Sequence, residues 1–293
     1  MDALLIILVG TLAAASCGLL GSFLVLRRMA MVGDAISHAV LPGIVLAYLA
    51  SGSRDSLLMS LGAIILGLFT TFLIEFLTEK GRLQSDASIG VTFTWLFAVG
   101  VILISVFAGQ VDLDQDCVLY GEIAYVPIDL WILPSGQIMG PRALYILGVV
   151  LAAVVLLVII CYKELMITTF DPGYAQSIGM NTRLWNYVLM GAVSVTTVAS
   201  FESVGAILVV ALLVAPPATA YLLTDKFKTM LWLSVLLGLL ASAGGYVLAV
   251  AFNGSIAGAI ATVAGFLFGL ALVFSPLNGL AWKGRKKSRL AQA

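Results

Sequence analysis

The sequence predicts an all-α membrane protein, a polytopic bundle of eight or nine transmembrane helices. Three observations predict it. Hydrophobic residues fill 61% of the 293 positions and charged residues only 10%, where a soluble domain carries about 25%. The apolar residues come in long runs, and about 20 in succession span a bilayer. Lys and Arg cluster on alternate sides of those runs, as cytoplasmic loops require. The formal net charge of zero also leaves no basic face for a nucleic acid.

Nine stretches qualify or nearly qualify as spans: roughly 2–26, 30–50, 56–78, 88–108, 143–162, 184–201, 203–223, 229–252 and 255–277. The first has no basic segment before it and is too long for a signal-peptide core, so it reads as a retained helix. The sixth and seventh are separated so tightly that they form either a hairpin or a broken helix re-entering the membrane. Irregular backbone at that depth is tolerated only where protein or a cavity covers it.

With the N-terminus outside, the inside loops hold Arg27, Arg28, Lys80, Arg82, Lys163, Arg183, Lys226, Lys228, Lys283, Arg285, Lys286, Lys287 and Arg289. Only Arg54 and Arg142 of the 15 basic residues then fall outside. An odd number of crossings follows, with one transmembrane domain over 1–280 and a basic cytoplasmic tail over 281–293. The longest loop, 109–142, lies outside and carries Asp112, Asp114, Asp116, Glu122 and Asp129. It is either a solvated loop or a docking surface and cation-attracting mouth. Cys17, Cys117 and Cys161 show neither a disulfide framework nor a zinc spacing. Gly254 with Gly258, and Gly265 with Gly269, have the spacing that lets helices approach in lipid.

Ionisable residues inside spans cost at least about 2.5–3.5 kcal/mol at a helix centre and are therefore function candidates. The second segment reads MVGDAISHAVLPGIVLAYLA. Asp34 and His38, the single histidine, are four apart and share one helix face. Pro42 follows and weakens the helix. His38 lies about 15 Å past the inside arginines, near mid-membrane. The pair is either a buried hydrogen bond that glues helices or a half-site for a divalent cation, since imidazole nitrogen and carboxylate oxygen suit Mn, Fe or Zn. Further ligands must come from elsewhere. Glu202, at the junction of segments six and seven, is the best candidate if that junction is a broken helix at the midplane; on a surface turn it is only a solvated charge. No GxxxxGK[ST], HExxH or GxSxG occurs, so the chain has no phosphate loop and no hydrolase motif.

At this point a resemblance covers nearly the whole chain, about residues 10–275. GLLGSFLVLRRMAMVGDAISHAVLPGIVLAYLA resembles the opening of bacterial ABC-type manganese/zinc/iron permeases, the ABC-3 permease family. SDASIGVTFTWLFAVGVILIS resembles their fourth segment, and FDPGYAQSIGMN and FESVGAILVVALLVAPPATAYLLTD resemble later signatures. VDLDQDCVLYGEIAYVP is similar to the manganese branch. The resemblance implies one transmembrane subunit of an importer in the bacterial plasma (inner) membrane. It would pair with a second copy or relative, with two cytoplasmic ATP-binding subunits and with an extracytoplasmic metal-binding protein. It implies no resident cofactor; Mn²⁺, or Zn²⁺ or Fe²⁺, is cargo, and ATP belongs to the partner. The resemblance implies that the family's metal-contacting residues fall on Asp34 and His38, and it extends the pathway to Glu202.

The stretch 215–228, APPATAYLLTDKFK, ends in basic residues on the inside. The proline pair Pro216–Pro217 is expected to end the spanning helix or to open a short one. Such a short cytoplasmic helix, carrying Ala220, Asp225, Lys226 and Lys228, resembles the coupling element that sits in an ATPase cleft. The inside loop 163–183 adds contacts or is an ordinary loop. The expected activity is alternating-access import, not catalysis by this chain. An ion-coupled secondary transporter would carry more intramembrane carboxylates, and a membrane enzyme lacks a nucleophile or a full metal-ligand set.

Overall fold

The computed structural model describes residues 2–51, 56–107, 123–132 and 138–275. Asp112, Asp114, Asp116, Cys117, Glu122, Arg54 and the 281–293 tail lie outside them. Among the described residues twelve α-helices follow in chain order: α1 (Asp2–Leu26), α2 (Val32–Ala39), α3 (Leu41–Ser51), α4 (Ser56–Glu79), α5 (Ser85–Phe107), α6 (Arg142–Ile160), α7 (Tyr162–Phe170), α8 (Pro172–Ser177), α9 (Thr182–Val204), α10 (Ala206–Leu223), α11 (Phe227–Phe252) and α12 (Ile256–Phe274). Among the described residues nine stretches are long and apolar enough to cross a membrane, α2 and α3 together forming one. The chain falls into two compact units.

One unit comprises α1, the segment after the long loop and α10–α12. Its outer segment holds a short antiparallel strand pair, β1 (Leu130–Ile132) and β2 (Ile138–Pro141). Tyr145 supports the pair by donating to the Met139 carbonyl at 2.8 Å and meeting Trp131 edge-on at 5.7 Å. α1 and α11 run antiparallel through small residues: a Cβ on Gly10 would meet Ser242, and one on Gly18 would meet Ser234. A Cβ on Gly238 would meet Ala14. Ser234 Oγ donates to the Gly18 carbonyl at 3.0 Å. Small residues permit such approaches in lipid.

Two sequence expectations are corrected in this unit. α10 runs through Pro216 and Pro217 to Leu223, so the prolines neither end a helix nor open a short one. Pro217 has no N–H for the Leu213 carbonyl, a loss that would ordinarily break the helix. In a membrane, neighbouring elements cover such defects: Gly21 of α1 brings its backbone directly against that carbonyl, which a side chain at position 21 would overlap. Pro216, Pro217 and Ala220 are buried. Secondly, a Cβ at Gly254, Gly265 or Gly269 would meet nothing within 4 Å, and one at Gly258 only the side chain of its near neighbour Ser255. The close approaches are made at other glycines.

The second unit holds α2–α5, the end of α6 and α7–α9. α4 and α9 form an antiparallel ladder. Glu79 meets Arg183, Glu75 meets Asn186, Phe72 stacks on Tyr187, Gly67 faces Ser194 and Ser60 meets Glu202. α3 crosses α4 where Gly43 and Gly62 bring their backbones together, a Cβ on either standing 2.5 Å from the other's carbonyl oxygen. α2 packs against α4, α5 and α9.

At the basic end of this unit the 163–183 loop is built of two short helices. Asp171 caps α8 by accepting from the Tyr174 N–H at 2.9 Å, with Pro172 in the first turn. Gly179 (φ 83°) turns the chain, and Asn181 caps α9 by accepting from Leu184.

Candidate functional site

α2 is short because it is bounded by two breaks. Arg28, at φ 60°, reverses the chain before it, a conformation L-residues visit sparingly. At its other end Pro42 has no N–H to give the His38 carbonyl. The Gly43 N–H goes instead to the Val40 carbonyl at 2.9 Å. The helix therefore stops at Ala39 and α3 restarts at Leu41. The expected kink is present as a one-residue interruption at Val40, whose own backbone stays helical (φ −71°, ψ −26°).

Of the eight residues of α2, six are buried: Val32, Gly33, Ala35, Ile36, Ser37 and Ala39. The two that are open are Asp34 and His38, whose side chains are 34% and 38% exposed. Their spacing places them on one face, with Asp34 Oδ1 3.6 Å from His38 Nε2. That separation is too long for a good hydrogen bond and leaves both groups able to turn towards a third species. Asp34 lies in the first turn, where the helix dipole favours a carboxylate. A carboxylate facing lipid is costly, so the open strip of α2 faces water or protein.

The imidazole is held from α5. Phe97 meets it edge-on at 5.6 Å and Phe93, one turn earlier, lies tilted at 5.9 Å. One turn further, Gly100 makes room for Pro42. A single face of α5 thus grips both the ring and the break after it. These three residues carried no signal in the sequence beyond helical spacing.

Glu202 is exposed and sits in the last turn of α9, three residues before Gly205 ends that helix at φ 84°. Ser60 Oγ donates to its Oε2 at 3.4 Å. Ile36 lies level with Gly67 of α4, seven residues from Ser60, roughly 10 Å along the axis at 1.5 Å per residue. Among the described residues no three His, Cys, Asp or Glu side chains come together to hold a metal. Asp34 and His38 are a pair, and Glu202 does not join them in a group of three.

A second polar cluster occupies the basic end of this unit. Arg27, read from the sequence only as an inside charge, turns inward. Its Nε donates to Thr169 at 3.0 Å, Nη1 to Asn186 at 2.6 Å and Nη2 to Thr168 at 3.1 Å. Asn186 in turn donates to Glu75. Desolvation pulls the guanidinium down to about 10, against the opposing charge of Glu75. Arg183 and Glu79 pair beside it at 2.8 Å. Of the expected coupling residues, Asp225, Lys226 and Lys228 are exposed, whereas Pro216, Pro217 and Ala220 are covered.

Residues 3–275 match the model of the ABC 3 transport family. The manganese transport system membrane protein MntD of Bacillus subtilis is 51% identical over 95% of this chain and 94% of its own length. The zinc transport system membrane protein TroD of Treponema pallidum is 46% identical over 94% and 74%. Among solved structures, PsaBC from Streptococcus pneumoniae in complex with Fab superimposes with a TM-score of 0.74, at 33% identity over 93% of this chain and 91% of that one. An inward-facing putative metal-chelate type ABC transporter, 16% identical, has the same fold at a TM-score of 0.63.

Proposed function

Since the chain belongs to the ABC 3 transport family, we propose that it is the membrane subunit of an importer that moves a divalent metal ion, manganese first, past Asp34 and His38. The observation that carries this reading is the open strip of α2. Six residues of that helix are buried, and the two left open are a carboxylate and an imidazole one turn apart. One oxygen and one nitrogen donor suit Mn²⁺ or Fe²⁺ as well as Zn²⁺. Two donors hold such an ion weakly, which fits a cargo that must be released. The relatives named for manganese and for zinc bracket the cargo. Affinity order favours zinc at an N/O site, so selection for manganese has to come from geometry and availability.

ATP hydrolysis belongs to a partner subunit. Two inside segments, each taken by itself, are the docking candidates: α7–α8, and the Asp225–Lys228 turn between α10 and α11. Three large apolar side chains stand exposed on or beside α7 and α8: Phe170 at 58%, Tyr174 at 56% and Ile178 at 49%. Large exposed apolar patches mark protein or membrane contacts, and we assign this one to the ATPase subunit. In the other inside segment Asp225, Lys226 and Lys228 are exposed charges. A second copy or relative completes the membrane part, and an extracytoplasmic binding protein delivers the ion to the outer face of a bacterial inner membrane. Glu202, beside Ser60 near the start of α4, receives the ion before it reaches His38.

The test is co-expression with the ATP-binding subunits. A stable complex that accumulates Mn²⁺ in vesicles only when ATP is supplied is the expected result. ATP-independent uptake driven by a proton gradient would point to a secondary transporter instead.

A further inference from the structure

We propose that Arg27 is a positioning residue that couples the ATPase-docking helices to the metal-contact helix, through its bonds to Thr168 and Thr169. The inference rests on the docking role of α7–α8 and on the metal role of Asp34 and His38 proposed above.

The hydrogen bonds are directional on both sides. Thr168 donates its own hydroxyl proton to the Glu164 carbonyl at 2.8 Å, and Thr169 donates to the Leu165 carbonyl at 2.6 Å. Each oxygen therefore offers lone pairs to the guanidinium and nothing else. Asn186 is oriented in the same way: its nitrogen donates to Glu75, so its oxygen is the group that accepts from Arg27. The five N–H groups of a rigid planar fork read this arrangement in a way a lysine ammonium cannot.

An arginine at the edge of a span ordinarily extends its head to water. Here it is turned into the protein, at the desolvation cost already noted. What it joins explains why that arrangement is useful. Arg27 precedes α2 by five residues and Asp34 by seven. α2 is an eight-residue helix. The turn at Arg28 and the proline kink at Val40 set it apart as a short segment, with Asp34 and His38 as its open face. The other end of the link is α7, which leads directly into Phe170, Tyr174 and Ile178. A displacement of α7 has a wired path to α2 and, through Asn186, to Glu75 of α4. Coupling between distant sites requires an element with two arrangements, and α2 is the segment assigned that part.

The experiment uses the complete transporter in proteoliposomes and reads Mn²⁺ taken up per ATP hydrolysed. Arg27→Gln and the double variant Thr168→Val/Thr169→Val, which removes the acceptors at nearly constant size, are expected to keep the ATPase subunits bound. Uptake per ATP should fall about tenfold in both, with Arg27→Lys in between. Uptake per ATP within about twofold of wild type in both variants would overturn the proposal. So would uptake and ATPase activity declining together with the amount of assembled complex, which is the result for a purely structural staple. Tyr174→Asp is run alongside. If the ATPase subunits still co-purify with it, the docking reading fails, while the Arg27 result is judged on its own ratio.

Discussion

Gly100 lies so close to Pro42 that a Cβ at position 100 would stand 2.8 Å from the proline Cδ and 3.0 Å from its nitrogen. The contact joins the middle of α5 to the break that ends α2. Because the proline ring is rigid, a side chain at position 100 cannot be absorbed locally. The break itself must move, and with it the last turn of α2 that carries His38. Gly100→Val is expected to destabilise the protein by about 1–3 kcal/mol, the usual range for overpacking, and to lower metal uptake more than it lowers the amount of folded protein. Uptake normalised to folded protein, measured against thermal stability in detergent, checks both.

Phe93 and Phe97 hold the imidazole without offering it a hydrogen bond. Phe97→Ala removes the edge-on ring and frees the His38 side chain to sample other rotamers. The expected effect is a several-fold rise in the apparent KM for Mn²⁺ with little change in maximal rate, as for a lost positioning contact. Phe97→Leu, which keeps apolar volume beside the ring, should recover much of the loss. A uniform fall in rate at constant KM would show that the ring serves packing alone.

Glu202 does not join the Asp34–His38 pair in a group of three, so its replacement should be milder than theirs. Glu202→Gln is expected to raise the apparent KM for Mn²⁺ by about threefold to tenfold while leaving uptake at saturating metal near normal, the pattern of lost initial binding. Complete loss of transport at saturating Mn²⁺ would place Glu202 at the same step as His38. Ser60→Ala, which removes one donor to Glu202, should cause a smaller change in the same direction.

Much of this architecture is legible in the sequence, and the reasons are physical. Span length and apolar content identify the membrane helices because the bilayer imposes both. Asp34 and His38 stand out because charge inside a span is costly, and Pro42 marks the break because a missing N–H is a local property. The Arg27 cluster is invisible for the opposite reason. Its acceptors lie 141, 142 and 159 residues away in sequence, and an arginine beside a span reads as an ordinary inside charge. The only hint is polar residues near span ends, Glu75 and Asn186 among them, that have no business in lipid. Pro216 and Pro217 mislead for a related reason. Local rules treat them as helix breakers, whereas the carbonyl freed by Pro217 is covered by Gly21 from nearly two hundred positions earlier. The glycine pairs of 254–269 obey the packing spacing and yet meet no neighbouring helix among the described residues; spacing permits an approach but does not supply the partner.

The pH behaviour of Arg27 follows from its desolvation. Its value in the folded protein, about 10, is lowered from the ordinary one. The unfolded chain therefore binds that proton more tightly, and the resulting penalty on stability is constant at neutral pH. It is relieved only as pH rises through about 10. Uptake per ATP in wild type should thus show no Arg27 titration between about pH 6 and about pH 8. In Arg27→His, with an ordinary value of about 6.5, uptake per ATP should be higher at the acid end of that range. Identical profiles for the two proteins would argue against a role for the positive charge.

The central claim is that the open strip of α2 carries the metal. It is tested most directly by ATP-driven Mn²⁺ uptake into proteoliposomes containing the full transporter with His38→Ala, with ATP hydrolysis and subunit assembly measured on the same preparation. The expected result is an assembled complex that still binds its ATPase subunits and hydrolyses ATP, while Mn²⁺ uptake falls by about a hundredfold or more, as when a transition-metal ligand is lost. Uptake at the wild-type rate and KM from an equally assembled complex would contradict it.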